Sequence, residues 1–360
     1  MPLPTGTGFL SFNSLPPRLH LTAETDDFDP SILAAWRAEG FDVTYHPLGP
    51  GGKAFANKIK SLPDDLELGE YYALMAYGES ATLCLQLAQK PMPRLCALVC
   101  YYPTRLPSPG FKYPSQLRLV VHLAGEQTLG APGVKSYWYR DTREGFAESD
   151  VDEYDEVAAG LSWSRSLGVV RKGFGLEVDL EDVWEGHVQH RFATKNAEAA
   201  MGDMVPQPYV NNVPVATGGI GRGDLYRFYR DFFMPSNPTA MNLKLVSRTM
   251  GVDRVVDEMV ISFRHAQEVP WMLPGVPPTN KPVKIAVVSV VCLRGGKLYS
   301  EHMYWDQASV LVQIGLLDAK LVPKTMKDKG MERLPVMGAE SAQKILSRES
   351  VPSNKLIPKW

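Results

Sequence analysis

The chain has 360 residues, too many for one ordinary core, and reads as two domains. Its 44% hydrophobic and 22% charged residues are those of a globular protein. The net charge of −2, with no Lys/Arg block and no RNA-reading motif, gives no electrostatic case for nucleic acid or an anionic membrane.

The four cysteines, Cys84, Cys96, Cys100 and Cys292, form no CxxC pair. They fit buried thiols in a reducing compartment better than a disulfide framework, with Cys96 and Cys100 on one face of a strand. The opening segment MPLPTGTGFLSFNSLPPR lacks a basic stretch followed by a long apolar run, so no signal peptide is expected. No stretch approaches the roughly 20 apolar residues of a membrane helix. The expectation is a soluble cytoplasmic protein.

In chain order, SILAAWRAE (31–39) reads as a helix stopped by Gly40, followed by a strand and turn in FDVTYHPLG. A weak helix covers 53–60. YYALMAY (71–77) reads as a buried strand running through Gly78-Glu79-Ser80-Ala81-Thr82 into a helix TLCLQLAQ. LCALVCYYP, LRLVVHLAG and VKSYWYR are further short apolar runs bounded by Pro and Gly. Strands alternating with helices predict a parallel α/β sheet.

Strand, sharp turn with a serine, then helix is the layout of a nucleophile elbow, although Thr82 stands where G-x-S-x-G has its second glycine. The spacing of MAYGESATL, CALVCYYP, LRLVVHLAGEQ and SYWYRDTREGF over 1 to about 146 resembles the dienelactone hydrolase branch of the α/β-hydrolases. The resemblance implies a nucleophile at Ser80, an Asp after the late strand and a His in a G-H-G-F-like segment. This chain departs from it at both partners: Glu126 is the acid near the Asp position, and Glu144 stands where the His belongs. A glutamate is a poor base for a hydroxyl near neutral pH, so Ser80 is read as a vestigial nucleophile. His46 and His122 have no spacing that brings them to it. The alternative is an active lactone or ester hydrolase using Ser80.

The acidic run AESDVDEYDEVAAG (147–160) reads as a solvated face, and VAAGLSWSRSLGVVRKGFG as a closing helix, which places the first domain at 1–175. EDVWEGHVQHRFATKNAEAAMGDMV (181–205) reads as an amphipathic helix broken near Lys195-Asn196, with an apolar stripe of Val183, Trp184, Val188 and Phe192. His187 is expected to face a pocket and His190 the surface; no third ligand completes a metal site. PYVNNVPVATGGIGRG (208–223) reads as a loop, without the GK[ST] ending of a phosphate loop, and GDLYRFYRDFF (223–233) as a second helix. Strands are expected at about 241–250, 255–266, 283–294 and 298–306, then a helix QASVLVQIGLL (307–317) and a basic tail, 324–360.

The two strands around Asp253–Asp306 carry the densest chemistry. Alternation puts Asp257 and His265 on one face with Met259, Ile261 and Phe263, and puts His302, Tyr304 and Asp306 on another. Titratable groups on apolar faces are costly unless paired or used. These faces are expected to line a pocket, with Met303 and Trp305 on the opposite side.

DRVVDEMVISFRHAQEVPWMLPGVPPTNKPVKI and GGKLYSEHMYWDQASVLVQIGLL, with PYVNNVP and TGGIGRGDLYRFY upstream, resemble the SnoaL-like group of the NTF2-like cone fold, an α+β architecture, over 176–323. A hydrolase-like domain followed by this one resembles an arrangement of fungal proteins and of secondary metabolism. The resemblance implies a polyketide cyclase or isomerase, with the acid at Asp306 taking a proton, no metal or organic cofactor, and a homodimer through this domain. From the residues, His302, His265 or Tyr304 would hydrogen-bond a substrate carbonyl, and Asp257 would orient a histidine or act as a second acid. Trp271, His187, Tyr209 and Asn212 would bind the small-molecule substrate, although relatives read PYVNHVP where this chain has Asn212. Asp257 and His265 pairing with each other or with Arg248 and Arg254, in a protein that binds without catalysis, is the competing reading.

Overall fold

A computed structural model describes residues 15–106, 112–127 and 134–360. The leader expectation for 1–14 lies outside them. The chain divides into two compact units, Met1–Val178 and Asp179–Trp360. Among the described residues no helix is long and apolar enough to cross a membrane.

The first unit runs β1 (Arg18–Ala23), α1 (Pro30–Ala38), β2 (Asp42–Pro47), α2 (Gly52–Ser61), β3 (Tyr72–Tyr77), α3 (Gly78–Leu87), β4 (Leu95–Tyr101), β5 (Arg118–Ala124), β6 (Lys135–Tyr139) and α4 (Glu156–Phe174). The strands form one parallel sheet in the order β2-β1-β3-β4-β5-β6. The expected parallel α/β sheet is therefore present, with β1 added. β3 is apolar at every position because both faces are covered. On one face α1 and α4 bury Trp36, Leu167 and Val170 against Leu21, Met75 and Tyr101. On the other α2 and α3 bury Phe55, Ile59 and Leu85 against Leu74, Leu98 and Val121.

Local chemistry sets the ends of these helices. Asp29 caps α1, accepting from Ser31 N at 2.8 Å, with Pro30 in the first turn, where its missing N–H costs nothing. Asp155 caps α4 at one end and Gly175, left-handed, closes the other. A Cβ on Gly173 would lie 2.8 Å from the Ala97 Cβ, so α4 approaches β4 closely only because that position has no side chain. The expectation that Cys96 and Cys100 share a face is corrected. The register with β3 slips beside Cys96, which joins the α1/α4 layer while Cys100 joins the α2/α3 layer. All four thiols are free and buried.

The second unit runs α5 (Glu181–Val188), which continues through a wider π-type turn (Gln189–Ala193), then α6 (Ala197–Gly202), β7 (Met204–Asn212) and β8 (Thr217–Ile220). Next come α7 (Gly221–Arg227) with its own π-type turn (Phe228–Phe233), β9 (Asn242–Met250), β10 (Arg254–Arg264), β11 (Pro282–Arg294), β12 (Lys297–Trp305), α8 (Gln307–Ile314), α9 (Lys324–Lys327) and α10 (Glu340–Leu346). The sheet order is β8-β7-β12-β11-β10-β9, antiparallel except for β12 beside β7. The predicted loop at 208–223 is in fact largely a hairpin. Its Tyr209, Asn211 and Ile220, Gly218 partners complete the sheet edge. One core joins the inward faces of these strands to Trp184, Leu225, Tyr229, Phe233 and Trp271. The tail carries more structure than expected: Ala342 of α10 is buried, and Lys284 Nζ of β11 donates to Gln343 Oε1 at 2.8 Å.

Candidate functional site

In the first unit a tight turn does join the strand to the helix, but it falls two residues before Ser80. The turn between β3 and α3 falls at Gly78, with φ of +57°, and Ser80 is already in the first turn of the helix, fully buried, its Oγ without a partner. A Cβ at Gly78 would meet Glu24 Oε1 at 2.5 Å, and the same carboxylate accepts from Glu79 N. The backbone N–H after an elbow residue is the donor that such folds use to hold an oxyanion. Here Glu24 occupies it. Glu79 in turn is held by Thr104 and Arg105, and the Thr104 hydrogen bond keeps its carboxyl below the usual range.

Neither histidine weighed as a base reaches Ser80. His122 lies on the α1/α4 face of the sheet, between Tyr139 OH at 3.0 Å and Ser166 Oγ at 2.9 Å, whereas Ser80 belongs to α3 on the other face. His46 Nε2 pairs with His20 Nδ1 at 3.0 Å. Glu126 and Glu144 do share a cavity of about 610 Å³, beside Gln127, Arg143 and Glu153. Ser80 does not line it. We expect Gly78→Ala to cost about 1–2 kcal/mol, because it strains a positive φ and displaces Glu24. A urea midpoint unchanged by the substitution would refute this.

In the second unit β10 presents the expected face: Val255, Asp257, Met259, Ile261 and Phe263 are all buried. β12 does not. A register shift between Leu298 and Ser300 reverses the alternation, so that Glu301, Met303 and Trp305 point inward. His302 and Tyr304 lie on the outer face with Tyr209, whose ring is 5.2 Å from that of His302. Asp306 is exposed and caps α8, accepting from Ala308 N at 3.0 Å and Ser309 Oγ at 2.6 Å.

Other expected site residues are committed elsewhere. Asp257 accepts from Trp184 Nε1 at 2.7 Å and from Arg248 Nε and Nη2 at 2.7 and 2.9 Å, so the pairing with Arg248 weighed from sequence is present. His265 lies eight residues further along, roughly 26 Å at strand spacing, and cannot share a small ligand with Asp257. Its Nδ1 meets Thr279 Oγ1 at 3.1 Å and ties the Pro-rich loop to the strand. Trp271, expected to bind the substrate, is core, packed on Phe233 and Trp305, with Nε1 donating to Asn237 at 2.8 Å. Asn212 donates to Thr217 Oγ1, which donates to Trp271 O at 2.7 Å.

What the fold does assemble is a buried polar group between α5, its π-type turn, α7 and the sheet. Arg191 grips Glu301 with both Nη atoms, Nη2 at 3.1 Å from Oε1, and Ser289 Oγ donates to the same Oε1 at 2.9 Å. Burial disfavours the guanidinium charge, but Glu301 outweighs it and raises the Arg191 pKa. Beside them lie His187, ring-on-ring with Trp184, and Tyr229, whose ring is 6.4 Å from the imidazole. The Tyr229 hydroxyl, Arg191 Nε and His187 Nε2 are all buried and make no hydrogen bond of good geometry, although Arg191 and Tyr229 lie close enough for each to shift the other's ionisation. Burial pushes the tyrosine up to about 12 and holds the imidazole below its ordinary value.

Asp203 sits behind His187. Its Oδ2 is 3.4 Å from His187 Nδ1, ion-pair range but outside hydrogen-bond geometry, and 2.7 Å from His190 Nδ1. Burial works against the carboxylate, yet the two imidazoles hold its pKa below the usual range. An ionised Asp203 favours the proton of His187 on Nδ1 and leaves Nε2 bare toward the interior. His187 was expected to face a pocket; Arg191, Glu301 and Tyr229 were not predicted. The sequence signal was Met303 and Trp305, two large apolar residues whose parity carries Glu301 inward. Among the described residues no group of three His, Cys, Asp or Glu side chains converges as metal ligands.

No family model and no curated protein matches the chain. Solved structures resembling it cover about two-fifths of its length. TsrD from Streptomyces laurentii is 17% identical, with TM-score 0.33, over 39% of this chain and 100% of its own. A putative SnoaL-like polyketide cyclase from Jannaschia sp. CCS1 is 15% identical, with TM-score 0.31, over 40% and 99%. AclR, a putative hydroxylase from Streptomyces galilaeus, is 17% identical, with TM-score 0.32, over 42% and 92%.

Proposed function

We propose that the second unit performs acid–base chemistry on a small enolisable carbonyl compound, the chemistry of a cyclase or isomerase, with His187 rather than Asp306 as the base. The observation that carries this is the trio of buried polar atoms without a hydrogen bond of good geometry, His187 Nε2, Tyr229 OH and Arg191 Nε, in one place. Native interiors leave few such atoms without partners, and those left over call for a ligand or water.

His187 Nε2 takes the proton from the carbon beside the carbonyl. The electron pair moves to the carbonyl oxygen, which Tyr229 OH and Arg191 Nε–H stabilise by hydrogen bonds. Asp203 balances the imidazolium that forms. The proton then returns to a different carbon, giving an isomer. Alternatively the enolate carbon attacks a second carbonyl, and His187 protonates the alkoxide of the closed ring. A depressed imidazole pKa keeps His187 unprotonated, and so ready, at neutral pH.

The test is deuterium incorporation at the acidic carbon of β-dicarbonyl compounds in D2O, followed by NMR. His187→Gln should lower the catalysed rate by at least about 100-fold, and Tyr229→Phe by about 10-fold. Exchange unchanged in His187→Gln would overturn the assignment. Binding without any exchange would make the unit a binding protein.

A further inference from the structure

Helix α4 buries Ala158, Ser162, Ser166, Leu167 and Val170 against the sheet. Its outward ridge runs Val157, Leu161, Ser164, Gly168 and Lys172, at helical spacings of four and three. Val157 is 72% exposed and Leu161, one turn on, 48%. Beyond them the ridge turns small. Ser164 and Gly168 are half-buried, and Ser164 Oγ is spent on Gly160 O at 3.1 Å, so this stretch presents a smooth surface. Gly160 adjoins it. A Cβ there would meet nothing within 4 Å, so packing inside the chain does not call for glycine, and glycine is among the weakest helix formers. Close approach of a second backbone is what such a residue permits.

The charges divide along the same helix. Asp152, Glu153 and Glu156 are exposed at its N-terminal end and Lys172 at its C-terminal end. Two copies of α4 laid antiparallel across a two-fold axis therefore match. With the axis between Ser162 and Trp163, Val157 of one copy meets Gly168 of the other, Leu161 meets Ser164, and Lys172 lies beside Glu153. Large apolar side chains fall on small residues, and each end finds the opposite charge, twice over. The helix's own dipole would account for the charges alone, but not for Val157, Leu161 or the small residues between them and Lys172.

We propose that α4 is a self-pairing surface whose occupant is α4 of a second copy of this chain, antiparallel and in this register. The contact lies on the first unit, separate from the homodimer through the second domain that the resemblance implies. A single helix pair is a small interface, so the association is micromolar.

Sedimentation equilibrium on the full chain should show this concentration dependence. Val157→Lys with Leu161→Lys should weaken the association at least about 100-fold, and Lys172→Glu at least about tenfold. Adding Glu153→Lys to Lys172→Glu should recover most of the second loss. These positions are exposed, so the fold should persist, and circular dichroism checks it. If the second unit pairs as well, the assemblies are larger than dimers, and Val157→Lys with Leu161→Lys should reduce them to dimers. Cysteines fix the register. Val157→Cys mixed with Gly168→Cys under oxidised glutathione should give a cross-linked pair. Either variant alone should not, because its two copies of the residue lie about 16 Å apart along the axis. The native thiols are buried and do not compete. A monomer up to about 100 μM, association unmoved by a folded Val157→Lys, Leu161→Lys variant, or a cross-link in either cysteine variant alone would overturn the proposal.

Discussion

Replacing Arg191 by alanine should destabilise the second unit by about 3–5 kcal/mol, and replacing Arg191 and Glu301 together by Met and Leu should restore most of that loss. The two side chains are 2% and 0% exposed, so neither ion is solvated and each depends on the other. Alanine at 191 leaves the Glu301 carboxylate with only Ser289 Oγ as a donor, and it opens a cavity beside Trp184, Phe192 and Phe233, which the guanidinium now covers. The paired apolar substitution removes the desolvation cost together with the attraction. Thermal unfolding measures this directly: roughly 10 °C lost in the single variant and most of it recovered in the double. A single variant within about 1 kcal/mol of the parent would show that the pair is dispensable to the fold.

Arg191 was hard to read for the same reason that it matters. Positions 184, 187 and 191 follow one stripe of a helix, but an arginine at such a position reads as solvated charge unless its partner is known. The partner lies 110 residues away in sequence, on a strand whose inward face was misjudged. His302, Tyr304 and Asp306 drew attention as titratable groups in regular alternation. The stronger physical constraint was the apolar pair Met303 and Trp305, each of which gains more from burial than a tyrosine at the same site. On β10 the two signals agreed, since Met259, Ile261 and Phe263 share parity with Asp257, and there the expected face is the buried one.

In the first unit, the strands and helices of the parallel sheet were largely legible because each apolar run is short, doubly covered and bounded by Gly or Pro. β1 was missed: RLHLTA alternates polar and apolar residues beside a Pro-rich lead. The strand–turn–helix layout around Ser80 was legible, but not its register. Ser80 suits the chemistry, whereas the backbone turns at Gly78, the only residue type of the segment that takes a positive φ without strain. Side-chain chemistry drew the eye to the serine; backbone sterics place the turn at the glycine.

The first unit should also lose stability steeply in mild acid, chiefly through His122. Its imidazole is fully buried, stacked on Tyr101 at 4.6 Å, and lowered to about 3 by burial and then by the nearby Arg165 charge. Hydrogen bonding explains why no proton is welcome. Arg165 Nη1 donates to Tyr139 OH at 2.9 Å, which leaves the phenol to donate to His122 Nδ1, while Nε2–H donates to Ser166 Oγ. A second ring proton would meet a donor. Unfolded, the same imidazole titrates near 6.5, so below that pH the unfolded chain binds a proton that the folded one refuses. Stability is therefore full above pH 6.5 and falls until the folded pKa is reached, by about 4–5 kcal/mol from this residue alone. His20 and His46, both lowered to about 4, act in the same direction. Most carboxylates are still ionised between pH 6.5 and 5, so a urea midpoint followed across that window isolates the histidines. Each decade of pH should cost about 1.4 kcal/mol per buried histidine. His122→Phe, with no proton to refuse, should flatten the slope by one histidine's share; a parent midpoint already flat from pH 7 to 5 would overturn the account.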